Sequence, residues 1–468
     1  MRLAIVKRIP GPQASCLPLA GWNSGFWTLL FTFTLTIRVC GQEIGAGGIG
    51  AINHSMAGVC VAAPMDGAGA MYWNPATLGR LQKSEFQMGV GRIAPTWYGD
   101  EVAGYSVLIP VVAILWLCSL DNDDPWKASN NTNNPHQDAF YTPNKTSSSK
   151  TRLPFVRVPC FSFTRAVRNT PFAWGISLTE SGARKTRLLT DAGSPDEIIG
   201  EEMYIIRNFE LTPTISWNCN KNCSIGLSPV FSLDEMPNAS LPVLPGKTVW
   251  NTERSRFGGG VQLGMYWKSH RKLDFGWSVR SPQWIGSQSY RWSDTSNSEL
   301  HERKYHFSQD SATRICLGTS YTGWKRILPA ADFRYYNYSH VSALYDLPKE
   351  IDSFANSGSS RHVFSYSVGL RYYVIPDLES LIFRMGYQYT FSPVSQDRLL
   401  YNTTLPIQPG HSLHLGLSLV LGERVDFAMS YSKSFGDGKT TVASAVGPVM
   451  LENNHNNGTF WFNVRFLF

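Results

Sequence analysis

The last ten residues, Thr459-Phe-Trp-Phe-Asn-Val-Arg-Phe-Leu-Phe468, restrict the possible folds more than any other stretch. Phe460, Phe462, Val464, Phe466 and Phe468 alternate with Thr459, Trp461, Asn463, Arg465 and Leu467. Two residues is the side-chain period of a β-strand, so one face is a continuous apolar stripe and the other carries an Asn and an Arg. Such a strand suits a wall with lipid on one side and a polar lumen on the other, as in a bacterial outer-membrane barrel. The aromatic Phe468 is then expected to present the chain to the barrel assembly machinery.

The same alternation recurs along the chain. Leu413, Leu415, Leu417, Leu419 and Leu421 interleave with His414, Gly416 and Ser418, and beyond Gly422-Glu-Arg424 the pattern resumes with Val425, Phe427, Met429 and Tyr431. Strands are predicted near 85–95, 154–167, 171–181, 204–218, 223–233, 256–268, 272–282, 311–321, 327–340, 362–374, 379–392, 411–421, 424–434 and 458–468. These number about fourteen, an even count as single-chain bacterial barrels require. Short turns such as 168–170, 269–271 and 376–377 alternate with polar loops at 182–203, 234–255, 283–305, 342–361, 393–410 and 435–457. That asymmetry of short periplasmic turns and long outer loops favours an all-β transmembrane antiparallel barrel over a soluble sandwich or propeller. The first outer loop, about 96–153, is unusually long: an apolar run at 107–118 leads into an Asn/Ser/Thr/Pro-rich tract. It reads as a surface insertion or as an apolar element that meets hydrophobic ligands.

Composition agrees with membrane strands: charged residues make up 16%, aromatics 13%, and there are 40 glycines. Residues 1–42 read as a signal peptide, with Lys7 and Arg8 ahead of an apolar core at Phe26–Ile37 that is too short to span. Cys40 permits a lipoprotein reading, against which Val39 is a poor preceding residue. The net charge of +7 is spread without a Lys/Arg block, so nucleic acid is not an expected partner. Of the eight cysteines, Cys219 and Cys223 flank a turn-like Asn220-Lys-Asn222 and are expected to form a small disulfide rather than half of a zinc site. No cofactor or metal is expected.

Between the signal and the first strand lies a small-residue-rich, nearly uncharged segment: Ile44-Gly-Ala-Gly-Gly-Ile-Gly50, Ser55–Asp66, then Gly67-Ala-Gly-Ala-Met-Tyr-Trp-Asn-Pro-Ala76. It lacks barrel-strand alternation and should fold inside the lumen as a plug, giving a hatch over 43–80 and a barrel over 81–468. With its closing Asn74-Pro75-Ala76, this segment resembles the hatch of the FadL/TodX family of outer-membrane channels for fatty acids and aromatic hydrocarbons. Two strand motifs add to the resemblance, Gly276-Trp-Ser-Val-Arg280-Ser-Pro282 and Arg384-Met-Gly386-Tyr-Gln-Tyr389-Thr-Phe-Ser392-Pro393. Val279 departs from the family's Tyr, and the long first loop is atypical.

The resemblance implies a fourteen-strand plugged barrel that admits long-chain fatty acids or aromatic hydrocarbons and releases them sideways past the hatch; a monomer among outer-membrane lipid and lipopolysaccharide is expected. It places ligand capture in the third and fourth outer loops, where Met236, Leu241, Val243, Leu244, Trp250, Trp284, Ile285, Tyr290 and Trp292 are the candidates, with self-packing of the loops as the other reading. Inward-facing charges, Glu210, Asp274, Arg280, Arg314, Asp332, Arg334, Arg371, Arg384, Asp426 and Arg465, are expected mainly to tie hatch to wall. One or two Arg are available to pair with a ligand carboxylate.

Competing motifs are weak. Gly45-x-Gly47-x-x-Gly50 lacks a βαβ unit around it, and Gly438-Lys439-Thr440 lacks the first glycine of a phosphate loop. A lipid-modifying barrel enzyme would need a Ser–His pair at the rim; His411, Ser412 and His414 lie near one, but His411 and Ser412 point to opposite faces. A structural or adhesive barrel without transport is the further alternative. Asn-x-Ser/Thr triplets at Asn130, Asn238 and Asn402 are ordinary for Asn-rich loops.

Overall fold

The computed structural model describes residues 47–95, 156–167, 170–186, 204–235, 240–244, 247–251, 255–269, 272–285, 288–294, 301–307, 311–338, 362–374, 380–391, 410–435, 437–444, 447–454 and 457–468. The segment 1–42 expected to be a signal peptide, the whole of the long loop 96–153 and Met236 lie outside the described residues.

Fourteen antiparallel strands close into a barrel. They are β1 (Glu85–Pro95), β2 (Val156–Ala166), β3 (Phe172–Thr186), β4 (Tyr204–Trp217), β5 (Cys223–Glu235), β6 (Ser255–Lys268) and β7 (Leu273–Arg280). The rest are β8 (Thr313–Tyr321), β9 (Ile327–Asn337), β10 (His362–Tyr373), β11 (Leu381–Thr390), β12 (Gly410–Leu421), β13 (Val425–Phe435) and β14 (Asn457–Leu467). The terminal strand completes the ring by pairing with β13 on one side and β1 on the other. Closure leaves no open sheet edge, the condition for placing β-structure in lipid.

The exposed large apolar residues of the wall strands alternate with buried, mostly polar ones. On β12 Leu413, Leu415, Leu417, Leu419 and Leu421 are exposed, while Ser412, His414 and Ser418 are buried. At the seam, the Phe86 and Phe466 rings stack at 6.4 Å between paired residues, and Phe468 donates its N–H to the Ser84 carbonyl at 3.0 Å.

The Cys219–Cys223 bridge expected from sequence is not formed; both are free thiols. The turn is closed instead by Asn220, whose Oδ1 accepts from the Asn222 and Cys223 amides at 2.8 Å each. An Asx turn already satisfies this backbone without a covalent link.

The expected third and fourth polar loops contain a four-stranded sheet, ordered His301–Phe307, Gln288–Asp294, Lys247–Asn251, Ser240–Leu244. A separate hairpin pairs Asp437–Ser444 with Gly447–Asn454.

Inside the barrel sits the hatch. It consists of helix α1 (Gly50–His54), helix α2 (Gly67–Trp73) and a 3₁₀ turn over Pro75–Arg80. Such short helices cannot persist alone, so wall contacts must hold them. Asp66 caps α2 by accepting from the Gly69 amide at 3.0 Å, and Asn74 caps the 3₁₀ turn by accepting from Ala76 at 3.1 Å. Facing glycines make room. A Cβ on Gly226 would strike the Pro75 backbone, one on Gly276 or Gly318 would strike Val61, and one on Gly386 or Gly416 would strike Met56, Ala57 or Ser55.

Candidate functional site

Strand register lays the lumen beside the hatch out in rows. Nearest the long-loop rim, Arg280 on β7, Arg314 on β8, Tyr336 on β9 and Val363 on β10 are successive cross-strand partners, all buried. The next row is Ser278, Cys316, Arg334 and Ser365, and below it come Gly276, Gly318, Asp332 and Ser367. The order of charges down the lumen thus follows from strand register alone.

The hatch presents Tyr72 and Trp73, the end of α2, to this panel. The Arg334 guanidinium lies 3.8 Å over the Trp73 ring, and Arg314 lies 4.6 Å from both the Tyr72 and Trp73 rings. Arg280 stands 5.6 Å from the Tyr72 ring and pairs with Glu210 at 2.7 Å, which also accepts from Gln283 Nε2 at 2.8 Å. Desolvated cation–π contacts of this kind stabilise by about 2 kcal/mol each. The backbone is held as well. Arg314 Nη2 and Gln262 Nε2 donate to the Tyr72 carbonyl, and Ser278 Oγ donates to that of Trp73 at 2.5 Å. Asp332 Oδ2 accepts from the Cys60 and Val61 amides at 2.9 and 3.2 Å and pairs with Arg334 at 3.5 Å.

The Asn-Pro-Ala motif joins hatch to wall. Asn74 Nδ2 donates to Val61 O within the hatch (2.7 Å) and to Met265 O on β6 (3.0 Å). Pro75 opens the 3₁₀ turn, where its fixed φ costs nothing, and packs on Gly226. The Ala76 carbonyl accepts from Ser216 and Ser224 at 3.1 and 2.9 Å.

The four candidate arginines divide into two pairs. Arg280 and Arg314 lie together beside the hatch aromatics, whereas Arg371 and Arg384 are partners near the short-turn rim. There Arg384 donates to Ser418 at 2.7 Å and Arg371 stacks 4.9 Å from the Tyr373 ring. The other expected inward charges are also buried. Arg465 joins Asp426 at 2.6 Å, Glu85 at 3.1 Å and the hatch carbonyl of Met65 at 2.8 Å, while Glu85 accepts from the Gly67 amide. Glu85, the first residue of β1, was not anticipated; its parity on the strand is the signal that would have found it.

The loop candidates fare differently. Trp284 and Ile285 do not share a groove: Trp284 is on the outer surface and Ile285 is buried inside. Ser281-Pro282 is the reason. Arg280 pairs with Gln262 but Trp284 pairs with Gly259, so one extra residue bulges between them and resets which side faces in. Leu241, Val249 and Trp292 are successive backbone partners in the outer sheet, Trp250 partners Ser240 and Arg291, and Leu244 partners Lys247. On β12, His411 is exposed and bonded to the Tyr387 hydroxyl at 2.6 Å, while Ser412 faces inward and meets His414 Nε2 at 2.9 Å.

A family profile described as outer membrane protein transport protein (OMPP1/FadL/TodX) matches residues 39–445. The chain belongs to that family. As a FadL/TodX protein it resides in the bacterial outer membrane, and the family's substrates are hydrophobic small molecules. No curated protein sequence matches it. Among solved structures it is similar to a Pseudomonas aeruginosa FadL homologue, with a TM-score of 0.58 and 14% identity over 92% of this chain and 99% of the other. It is likewise similar to the Ralstonia pickettii toluene transporter TbuX, with a TM-score of 0.56 and 14% identity over 90% and 99% of the two chains. The P. putida toluene transporter TodX gives 0.58 and 14% over 90% and 99%. At these identities the likeness establishes the fold. Family and neighbours alike are transport channels.

Proposed function

We propose that this FadL/TodX protein is a passive channel for long-chain fatty acids, which pass beside the seated hatch and leave sideways through the wall. The observation that carries the substrate reading is the row Arg280–Arg314–Tyr336–Val363 against Tyr72 and Trp73, with Ile285 buried nearby in sequence. Paired guanidiniums suit a carboxylate head, and the aromatic and aliphatic neighbours suit the start of an acyl chain.

The side exit is supported by where the wall is irregular. β3 shifts register between Glu180 and Ala183. Between β4 and β5, pairing lapses from Leu211–Phe231 to Ile215–Leu227, where Pro213 and Pro229 have no N–H to donate. From β8 round to β14 the register runs without a shift. A panel with fewer cross-strand bonds is the easier one to part.

The physical need is plain. A charged, tightly packed outer leaflet bars apolar compounds from partitioning in directly, and a lumen opening to hydrocarbon bypasses it. Aromatic hydrocarbons are the second reading, because solved neighbours include toluene transporters. The test is uptake of a labelled fatty acid and of labelled toluene by cells lacking the protein and by the same cells restored with wild type or Arg314→Gln. Slower fatty-acid uptake in the null and in the variant is expected. Loss of toluene uptake alone selects the second reading, and normal uptake of both overturns transport.

A further inference from the structure

Towards another part of the wall, α1 meets β12 and β13 through two imidazoles. His54, in the last turn of α1, accepts or donates at both ring nitrogens: Nδ1 meets Ser430 Oγ at 2.9 Å and Nε2 meets Ser432 Oγ at 3.0 Å. Its ring abuts that of His414 on β12, centroids 4.7 Å apart and edge-on, and Trp461 of β14 covers it at 6.2 Å. Both histidines are buried. Gly47 lies so close to the His414 ring that a Cβ there would overlap it.

Among the described residues, the side-chain partners of the two imidazoles are hydroxyls and not carboxylates. Bonded to this pair are hydroxyls from β12 and β13 (Ser412, Ser430, Ser432); the amides Gln87 from β1 and Asn463 from β14 flank Gly50 at the start of α1, and Asn53 on α1 accepts from Trp73 Nε1 of α2. The inward charged groups nearest are Arg334 from β9, itself a cation, and Arg465 from β14, which pairs with Asp426 and with Glu85; Lys433 on β13 is exposed. Asp66, ahead of α2, is occupied as the cap of Gly69 and by Gln87.

We propose that His54 and His414 form a proton-operated latch: neutral, they seat α1 of the hatch on β12 and β13, and protonation releases it. Two adjacent imidazoliums in a buried, hydroxyl-lined site would repel and lack counter-charge. Burial, and then the neighbouring His414, already hold the His54 imidazole well below its ordinary value. The sign follows. A group whose seated-state pKa is depressed takes up its proton more readily when exposed, so seating is intact above the ordinary imidazole value and weakens as pH falls below it. With both exposed values near about 6.5, the seated-to-released ratio falls by up to about a thousand-fold between about pH 7.5 and pH 5. One imidazole alone would give about thirty-fold.

The experiment uses the full-length protein in lipid bilayers. Hydrogen exchange across residues 47–60, corrected for intrinsic rates, and single-channel ion conductance are followed from about pH 7.5 to pH 5 for wild type, His54→Asn, His414→Asn and the double variant. Expected is a large loss of α1 protection with rising conductance at acid pH in wild type, a smaller response in each single variant, and none in the double. Wild-type protection and conductance that stay constant with pH would overturn the proposal. So would a double variant that responds as wild type does. The wild-type exchange profile decides the matter even if a variant fails to assemble, and neither readout depends on which hydrophobic compound is carried.

Discussion

The two sides of the hatch are seated on the same wall by different chemistry. Towards β7–β9, the end of α2 and the strand-like segment before it are gripped by guanidiniums on aromatic rings and by the Asp332 carboxylate on two amides. Towards β12–β14, α1 is held by neutral bonds from His54 to Ser430 and Ser432 and by contact with His414. Charge-assisted and cation–π contacts in a dry lumen are the stronger class, and neutral hydrogen bonds contribute only about 1 kcal/mol each. The α2 side is thus the firmer anchor and the α1 side the weaker one, which we propose to be releasable, and the firm anchor lies next to the arginines proposed to meet substrate.

The largest effect should come from removing both sides at once. Deleting residues 45–76 is expected to leave a folded barrel with a water-filled lumen, raising single-channel conductance by about ten-fold or more. Next comes Asp332→Ala, which strips two hatch amides of their acceptor and Arg334 of its partner. Losing one member of a buried pair costs about 3–5 kcal/mol, measurable as earlier release of the hatch to protease in a urea series. Gly318→Val should follow at about 1–3 kcal/mol in the same assay, since its Cβ would meet Val61 and Ala62. Smallest at neutral pH is Ser432→Ala, about 1 kcal/mol, since it removes one neutral bond from the α1 side. An Asp332→Ala protein no looser than Ser432→Ala would erase the distinction between the two sides.

The wall was readable in the sequence because lipid and lumen impose opposite polarities on alternate residues, and fourteen runs such as Leu413–Leu421 carry that signature. The hatch motif was readable through its family resemblance, yet the partners of Asn74 were not: Met265 lies far along the chain and reaches it only through barrel closure. Likewise, Arg280 and Arg314 could be placed facing inward by parity, but their partnership with Tyr72 and Trp73 depends on how an irregular hatch backbone sits. Trp284 and Ile285, grouped as groove candidates, part to opposite faces, and the bulge at Ser281-Pro282 shifts the phase by one residue before them. The outer sheet escaped notice because its strands, such as Lys247–Asn251, lack a clean apolar alternation. Cys219 and Cys223 misled because an Asx turn closes the same loop.

On the proposed route, a hydrophobic substrate passes through the lumen between the Arg280–Arg314–Tyr336–Val363 row and the hatch. A photoreactive long-chain fatty acid, activated on the bilayer-reconstituted protein and mapped by mass spectrometry, tests it directly. Adducts on Tyr336, Val363 and Tyr72 that excess unlabelled fatty acid suppresses are expected. Adducts confined to outward-facing residues such as Leu413, Leu415 and Leu417 would contradict it.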